Sequence, residues 1–243
     1  PFRTEQIMYT AKQMKTSVTM PAPLTVIIPT LNAAGLLGPT LRSLYEGIQT
    51  GLIAELVFTD CGSTDDTRLV ADDVGATFVI SKPGRGTQLA TAAKTCKTNW
   101  IMVIHADTIL SPDWTLAVRN HIASSQNAAH FRLAFDVQSR AAKCTAGWAN
   151  LRSRIFKLPY GDQGLLISME LYNGVGGYAN VPLMEDVSLV RKLRGHLTEL
   201  PVTATTSAVK YETEGYLKRG TKNFLTLLKY FLGVSPEILA KRY

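Results

Sequence analysis

Cysteine is scarce in this sequence. Cys61, Cys96 and Cys144 are odd in number and none has C-x-x-C spacing. That excludes a disulfide framework and a thiolate zinc site, and it makes a reducing compartment, the cytoplasm, the expected home. Long hydrophobic runs are missing too: none approaches the roughly 18 residues that span a bilayer. The first twenty residues, PFRTEQIMYTAKQMKTSVTM, hold no apolar core segment, so they do not read as a signal peptide. Residues 1–23 read instead as a polar leader, with Met20 a candidate natural start. No internal repeat and no low-complexity tract interrupts the chain. With 18 Gly and 11 Pro in 243 residues, collagen-like and disordered compositions are excluded as well.

What is present is ordinary for a globular protein: 46% apolar and 19% charged residues. At roughly 150 residues per domain this length favours one large domain, here 24–243, with core enough to need no disulfides. Charge is unevenly placed. Residues 186–243 hold ten Lys/Arg against five Asp/Glu, so +5 of the net +7 sits in the last quarter. That balance suits a phosphate-bearing substrate, an anionic membrane surface or nucleic acid, and equally a solvated basic helix.

From Leu24 onward, short apolar runs alternate with amphipathic segments. LTVII (24–28), ELVFT (55–59), TFVI (77–80) and WIMVI (100–104) read as buried strands, the first stopped by Pro29. Between them, helices are expected over 34–48, with Leu36, Leu37, Leu41, Leu44, Tyr45 and Ile48 on one face, over 64–74 and over 88–96. Another follows Ser111-Pro112-Asp113, where proline near the first helical position costs little. This rhythm predicts an α/β fold, a mostly parallel central sheet with helices on both faces. The later half is less regular. HFRLAFDV (130–137) alternates like a strand, 141–157 reads as a long helix and 161–180 as a Gly-rich loop. A helix over 186–194, a strand ELPVTA (199–204) and a basic amphipathic helical segment within about 212–243 complete the reading.

In an open parallel sheet ligands bind beyond the carboxyl ends of the strands. The exits are Pro29-Thr30-Leu31-Asn32, Asp60-Cys61-Gly62-Ser63, Lys82-Pro83-Gly84-Arg85-Gly86 and His105-Ala106-Asp107-Thr108. Two carboxylates, Asp60 and Asp107, and a basic glycine loop would thus share one rim. Carboxylates beside cations suit a nucleoside diphosphate with a divalent metal. Singly, each piece also has a plainer reading. Asp60 with Gly62, Ser63 and Asp65 fits a turn and helix cap, Gly84-Arg85-Gly86 a turn, and His105 a core histidine.

Taken in order, VIIPTLNAAGLLGPTLRSL, ELVFTDCGSTDDT, GRGTQLATAA and IHADT resemble family-2 glycosyltransferases of the GT-A fold. GDQGLLISMELYNGVGGYANVPLMEDVSLVRKLR and the terminal YFLGVSPEILAKRY resemble, more narrowly, a bacterial subgroup of arsenosugar-biosynthesis-type glycosyltransferases. The resemblance runs from about Leu24 to Tyr243. It implies a single GT-A, Rossmann-like nucleotide-diphospho-sugar transferase domain. It also implies an inverting, metal-dependent transfer of sugar from a UDP- or GDP-sugar to an acceptor hydroxyl, with Mn2+ or Mg2+ as cofactor. By position, Pro29, Thr30 and Asn32 line the nucleotide pocket, Asp60 faces the base, and Arg85 and Gln88 lie near the nucleotide. His105-Ala106-Asp107 occupies the place of the D-x-D motif, with Asp107 the metal ligand. Asp186, beside Glu185, matches the base that deprotonates the acceptor, and Gly161-Asp162-Gln163-Gly164 borders the sugar or acceptor. Four departures stand out: Cys61 for Asp or Gly, His105 for the first Asp of D-x-D, Ala90 for Asn, and Thr206-Ser207-Ala208-Val209-Lys210 without paired arginines. Lys210 is the expected stand-in on the diphosphate.

Plainer readings compete here as well. Glu185-Asp186 fits an acidic helix start, Asp162 a turn, and His196 a helix end as much as a metal ligand. The basic segment with Phe224, Leu227, Leu228 and Phe231 would pack on the domain or dock peripherally at the inner membrane face. Two other functions remain open at this stage. Gly84-Arg85-Gly86-Thr87-Gln88 with Lys94 faintly echoes a sugar-nucleotide pyrophosphorylase loop, and the basic C-terminal quarter would suit a catalytically silent nucleotide- or nucleic-acid-binding protein. Retained Asp107 and Asp186 argue against silence, and the chain lacks the aromatic-basic interleaving of single-strand grooves, so no nucleic acid is expected as partner.

Overall fold

The computed structural model describes residues 22–242. The polar leader, Ala22 and Pro23 excepted, and the candidate start Met20 lie outside the described residues. The first half alternates as expected: β1 (Leu24–Thr30), α1 (Ala34–Gln49), β2 (Ile53–Asp60), α2 (Thr67–Asp73), β3 (Thr77–Ile80), α3 (Arg85–Ala93) and β4 (Trp100–Val103). Then come β5 (Ile109–Leu110), α4 (Trp114–Ser124), β6 (Ala128–Phe135), α5 (Arg140–Phe156) and a single 3-10 turn, Gly161–Gln163. The chain continues through β7 (Leu165–Ser168), α6 (Met169–Gly174), α7 (Glu185–Lys192), β8 (Leu197–Thr206), α8 (Val209–Glu214), α9 (Tyr216–Phe231) and α10 (Pro236–Ala240).

All eight strands join one sheet in the order β3-β2-β1-β4-β7-β6-β8-β5. β1 to β4 run parallel, β7 is antiparallel to β4 and to β6, and β6 is parallel to β8. Six strands therefore point one way, with β7 and β5 reversed, so the sheet is mostly parallel as expected, with two antiparallel members. The run 161–180 is corrected. It is not all loop, because LLIS (165–168) is a fully buried strand in mid-sheet. The first strand does not stop at Pro29. β4 pairs with β1 only as far as Ile27, so β1 passes through proline paired with β2 alone. A ring lacking an N–H is tolerated where one ladder has already ended.

Strand alternation divides the core between two faces. Val26, Ile28, Phe58, Met102 and Leu166 pack with Leu37, Leu44, Trp114 and Val118 from α1 and α4. Ile27, Val57, Ile101, Val103 and Ile167 pack on the other face with Leu89, Ala92 and Leu189 from α3 and α7. The buried face of α1 is Leu37, Thr40, Leu44 and Gly47, while Leu36, Tyr45 and Ile48, expected inside, are exposed. Thr40 donates its hydroxyl to the Ala106 carbonyl at 2.8 Å, and Gly47 sits where a Cβ would come within 2.7 Å of the Trp114 ring. No helix among the described residues is long and apolar enough to cross a membrane.

Candidate active site

Because β1, β2, β4, β6 and β8 point the same way, their carboxyl ends share one rim. At the β1–β2 corner Asp60 is 3% exposed. It accepts from the Thr30 hydroxyl at 2.9 Å, the Ser63 hydroxyl at 2.5 Å, and the Gly62 and Ser63 amides at 2.8 Å each. A carboxylate offers about four lone-pair sites, so the chain itself fills them. Burial pushes this carboxyl's pKa up, but the bonds from Ser63, Gly62 and Thr30 outweigh it and hold the group below its ordinary value. Asn32, at φ 50, accepts from the Thr64 amide at 2.8 Å and donates its own amide to the Ser63 hydroxyl at 2.7 Å. Asp65 joins two helix starts, accepting from Ala34 N at 3.0 Å and from Thr67 N at 3.0 Å. Gln88, 6% exposed, donates to the carbonyls of Thr30 at 3.0 Å and Thr59 at 2.8 Å, stapling the ends of β1 and β2.

One place further along the rim lies a cleft of about 340 Å³. The exit of β4 supplies His105 and Asp107, the start of α3 supplies Arg85, and the 3-10 turn supplies Gly161 and Asp162. Glu185 and Asp186 come from the start of α7, and Lys210 from α8. Two glycines let these elements meet. A Cβ at Gly86 would fall 2.3 Å from the Ala179 carbonyl oxygen, and one at Gly161 would fall 3.0 Å from His105 Nε2.

Asp186 is the pivot. Its Oδ2 accepts from the Gly161 amide and its Oδ1 from the Val187 amide, both at 2.7 Å. Glu185 beside it is buried, 3.8 Å from Arg85 Nε. Its pKa is raised by burial and by the Asp186 charge, with Arg85 opposing. Asp162 keeps Oδ1 buried with no partner. Burial pushes its carboxyl up to about 6, with Arg152 opposing and Asp186 adding to the rise. Burial, then the charges of Arg85 and Lys210, hold the His105 imidazole well below its ordinary pKa and therefore neutral. Asp107 makes no hydrogen bond or ion pair among the described residues.

Arg85, His105, Asp107, Gly161, Asp162, Glu185, Asp186 and Lys210 thus meet in one place. Pro29, Thr30, Asn32, Asp60, Gln88 and Ala106 do not line the cleft; the first five hold the adjoining corner of the rim. Gln163 is fully buried and turned away, accepting from Ser153 Oγ at 2.5 Å and donating to the Phe131 carbonyl at 3.2 Å. Gly164 lies behind His105 at a small annex of the cleft. His196 precedes β8, at the opposite rim, and contacts Asn127 Oδ1 at 3.2 Å, so it cannot reach this cleft. The plain-turn reading of Gly84-Arg85-Gly86 is corrected, since Arg85 and Gly86 open α3 and Gly86 is small for close packing against the 179–181 loop. The loop follows β3 and Lys94 caps the far end of α3, which removes the pyrophosphorylase echo. Two residues went unnoticed in the sequence. Tyr160 lines the cleft and carries the Arg152 guanidinium 3.4 Å over its ring. Tyr160 borders the Gly161-Asp162 turn, the one local signal that could have drawn attention to it.

The model for glycosyl transferase family 2 matches residues 25–157, more than half of the chain. The chain belongs to glycosyl transferase family 2. No curated protein sequence matches it. Among solved structures, Staphylococcus aureus TarS 1-349 superposes at TM-score 0.57 with 15% identity, over 75% of this chain and 60% of that one. Glucosyl-3-phosphoglycerate synthase from Mycobacterium tuberculosis, in complex with Mn2+, UDP and phosphoglyceric acid, superposes at 0.55 with 18% identity, over 76% and 69%. At such identities the likeness is one of fold: a single α/β domain of the GT-A, Rossmann-like kind. This family-2 chain spans about 60% of the TarS chain it resembles.

A divalent ion can be tested against the donor set. No group of three or more His, Cys, Asp or Glu among the described residues could hold a metal ion. Mg2+-type ions bound with substrate phosphates need only one or two carboxylates, the rest being phosphate oxygens and water. Asp107, unpartnered at the cleft wall beside a neutral His105, fits that requirement.

Proposed function

We propose that this chain transfers a sugar, with inversion, from a nucleoside-diphosphate sugar to an acceptor hydroxyl. Family membership supports the class of reaction, and the observation that carries the mechanism is the placement of Asp186. Two backbone amides fix its carboxylate at the mouth of the 3-10 turn, in the same cleft as Asp107, Arg85 and Lys210. Asp186 takes the proton of the acceptor hydroxyl as its oxygen bonds to the sugar C1. The C1–O bond to the diphosphate breaks on the opposite side, which inverts the centre. Arg85 and Lys210 meet the diphosphate oxygens. Mn2+ or Mg2+ held at Asp107 would supply Lewis-acid neutralisation of the leaving group. The nucleoside extends along the rim over Thr30 and Asn32, where a base reaches Asp60 by displacing one of the two hydroxyls, of Thr30 or of Ser63, that occupy it. UDP is present with the mycobacterial synthase and UDP-GlcNAc with TarS, which makes a UDP-sugar the first donor to try. The 161–194 stretch and the terminal YFLGVSPEILAKRY support a place in the arsenosugar-type subgroup. Four carboxylates in the cleft, Asp107, Asp162, Glu185 and Asp186, oppose a polyanion and favour a small donor over nucleic acid.

A thermal-shift screen of UDP-, GDP- and dTDP-sugars with and without Mn2+ tests the reading. A ligand at 100 times its Kd stabilises the fold by about 2.7 kcal/mol. A manganese-dependent shift with one nucleotide, lost in Asp107→Ala, is expected. Asp186→Asn keeps that shift and loses about 10²–10⁴ in turnover, the usual worth of a general base. Wild-type turnover by Asp186→Asn would remove it as the base.

A further inference from the structure

Resting on the transferase reading, we infer that the acceptor is a neutral ring polyol, and that Asp162 selects it by accepting a hydrogen bond from the hydroxyl next to the one that is glycosylated. Asp162 is an incomplete carboxyl. Its Oδ1 is buried without a hydrogen-bond partner, yet the side chain lines the cleft. Asp60, at the adjoining corner of the rim, has the opposite arrangement, with four donors supplied by the chain itself. A buried acceptor left unmatched costs stability. The donor that Asp162 lacks within the fold is one that a bound substrate brings.

Two features put that donor on the acceptor rather than on the sugar being transferred. The Gly161 amide donates to Asp186 Oδ2 at 2.7 Å. Asp162 is the next residue, about 3.8 Å on between Cα atoms, so a hydroxyl that hands its proton to Asp186 brings its ring neighbour to the side of Asp162. Asp162 also lines the apolar groove between α5 and α9, which Arg85, Asp107 and Lys210 do not line. It therefore stands on the side of the cleft away from the groups that meet the diphosphate. Charge decides the class of acceptor. A phosphate or carboxylate beside Asp162 would face Glu185 and Asp186 as well. Arg85 and Lys210 serve the donor, and Arg219 is paired with Glu214 at 2.6 Å. A substrate ammonium would meet cations already in place. Arg152 lies over the Tyr160 ring and acts on Asp162, and Arg219 lies 5.4 Å over the Tyr211 ring, which also stacks on Tyr216. Hydroxyls need no countercharge, and cleft walls of Phe135, Tyr160 and Tyr211 suit the C–H faces of a ring.

The test incubates the full chain and labelled donor with inositol and methyl hexosides, and with the 6-phosphate and 6-amino-6-deoxy counterparts of those hexosides. Transfer to a neutral member is expected, with kcat/KM about tenfold or more above that of its charged counterparts. For that acceptor, replacing the hydroxyl next to the glycosylated one by hydrogen should cost about tenfold to a hundredfold, the worth of a hydrogen bond to a charged group. In Asp162→Ala, or Asp162→Asn should the first fail to fold, the same replacement should cost several-fold less, while the thermal shift given by the donor stays at its wild-type value. Losses from the two changes that simply multiply would show that the hydroxyl and Asp162 do not interact, and overturn the assignment. A donor shift lost in both variants overturns it too, because the partner of Asp162 would then be on the donor sugar. Preference for the phosphate or the amine, or donor hydrolysis with no transfer to any neutral member, overturns the acceptor class. If no nucleotide sugar binds or turns over at all, it is the transferase reading that fails.

Discussion

A carboxyl group that keeps one oxygen dry and unpartnered weakens the fold that holds it. Asp162 is in that position: its Oδ1 has no partner and burial lifts its pKa to about 6, from an ordinary 3.8. Between those two values the folded chain retains a proton that the unfolded chain has released. Stability from this group is therefore full below the lower value, falls as pH rises through the window, and is flat above about 6. Asp162→Asn keeps the shape without the charge. Its thermal midpoint should match wild type near pH 4 and exceed it at pH 7 to 8, with Glu185 and His105 common to both chains. Equal midpoints at every pH would show that a solvent path already serves Oδ1. Asp60 is the opposite case, with four donors filling its lone pairs. Its role in the sequence pattern and its bonding within the fold are different facts, and only the folded chain reveals the second.

At the level of elements, the contact between α3 and the 179–181 loop sets the cleft. A Cβ at Gly86 would meet the carbonyl oxygens of Ala179 at 2.3 Å and Val181 at 2.8 Å. Backbone oxygens cannot rotate away as a flexible side chain does. Gly86→Ala is expected to cost about 1–3 kcal/mol of overpacking, partly offset by about 1 kcal/mol of helix propensity. The displaced loop leads straight into Glu185, so turnover should fall as well; an unchanged midpoint and rate would mean that the loop simply moves aside. Elements with long periodic patterns were legible in the sequence, and so was the rim position of Asp107 and Arg85, because each follows a strand end, whereas Asp186 was reached only through the resemblance of Met184-Glu185-Asp186 to the family's Glu-Asp pair. LLIS at 165–168 was not. Four residues between Gly164 and Met169, buried on both faces, have too short a period to distinguish strand from loop. α1 misled for a different reason: its buried face uses Thr40 and Gly47, one for a hydrogen bond and one for its smallness, and neither registers as apolar. Arg152 and Tyr160 were invisible because their meeting depends on how α5 returns to the 3-10 turn.

At the scale of the whole molecule, the sheet decides how the chain unfolds. The family match ends at residue 157, yet β7 and β8 come later in the chain. β7 pairs with β4 from Trp100↔Ser168 to Val103↔Leu165 and with β6 at Ala129↔Leu166, and β6 leans on β8 along most of its length. Without β7, β4 and β6 have no common neighbour, and the α/β half ends in an open edge at β4. The two halves are therefore one cooperative unit. Calorimetry should show a single transition whose van't Hoff and calorimetric enthalpies agree, with a calorimetric value on the order of 150 kcal/mol near 60 °C for a chain of this size. A fragment ending at residue 157 should show no such transition. Two resolved transitions, or a fragment that melts cooperatively, would mean that β1 to β4 with their helices form a self-sufficient module. The cleft, built from both halves through Asp107 on one side and Asp186 on the other, would then open without global unfolding. With one transition, the geometry that holds Asp186 opposite Asp107 is as stable as the fold itself.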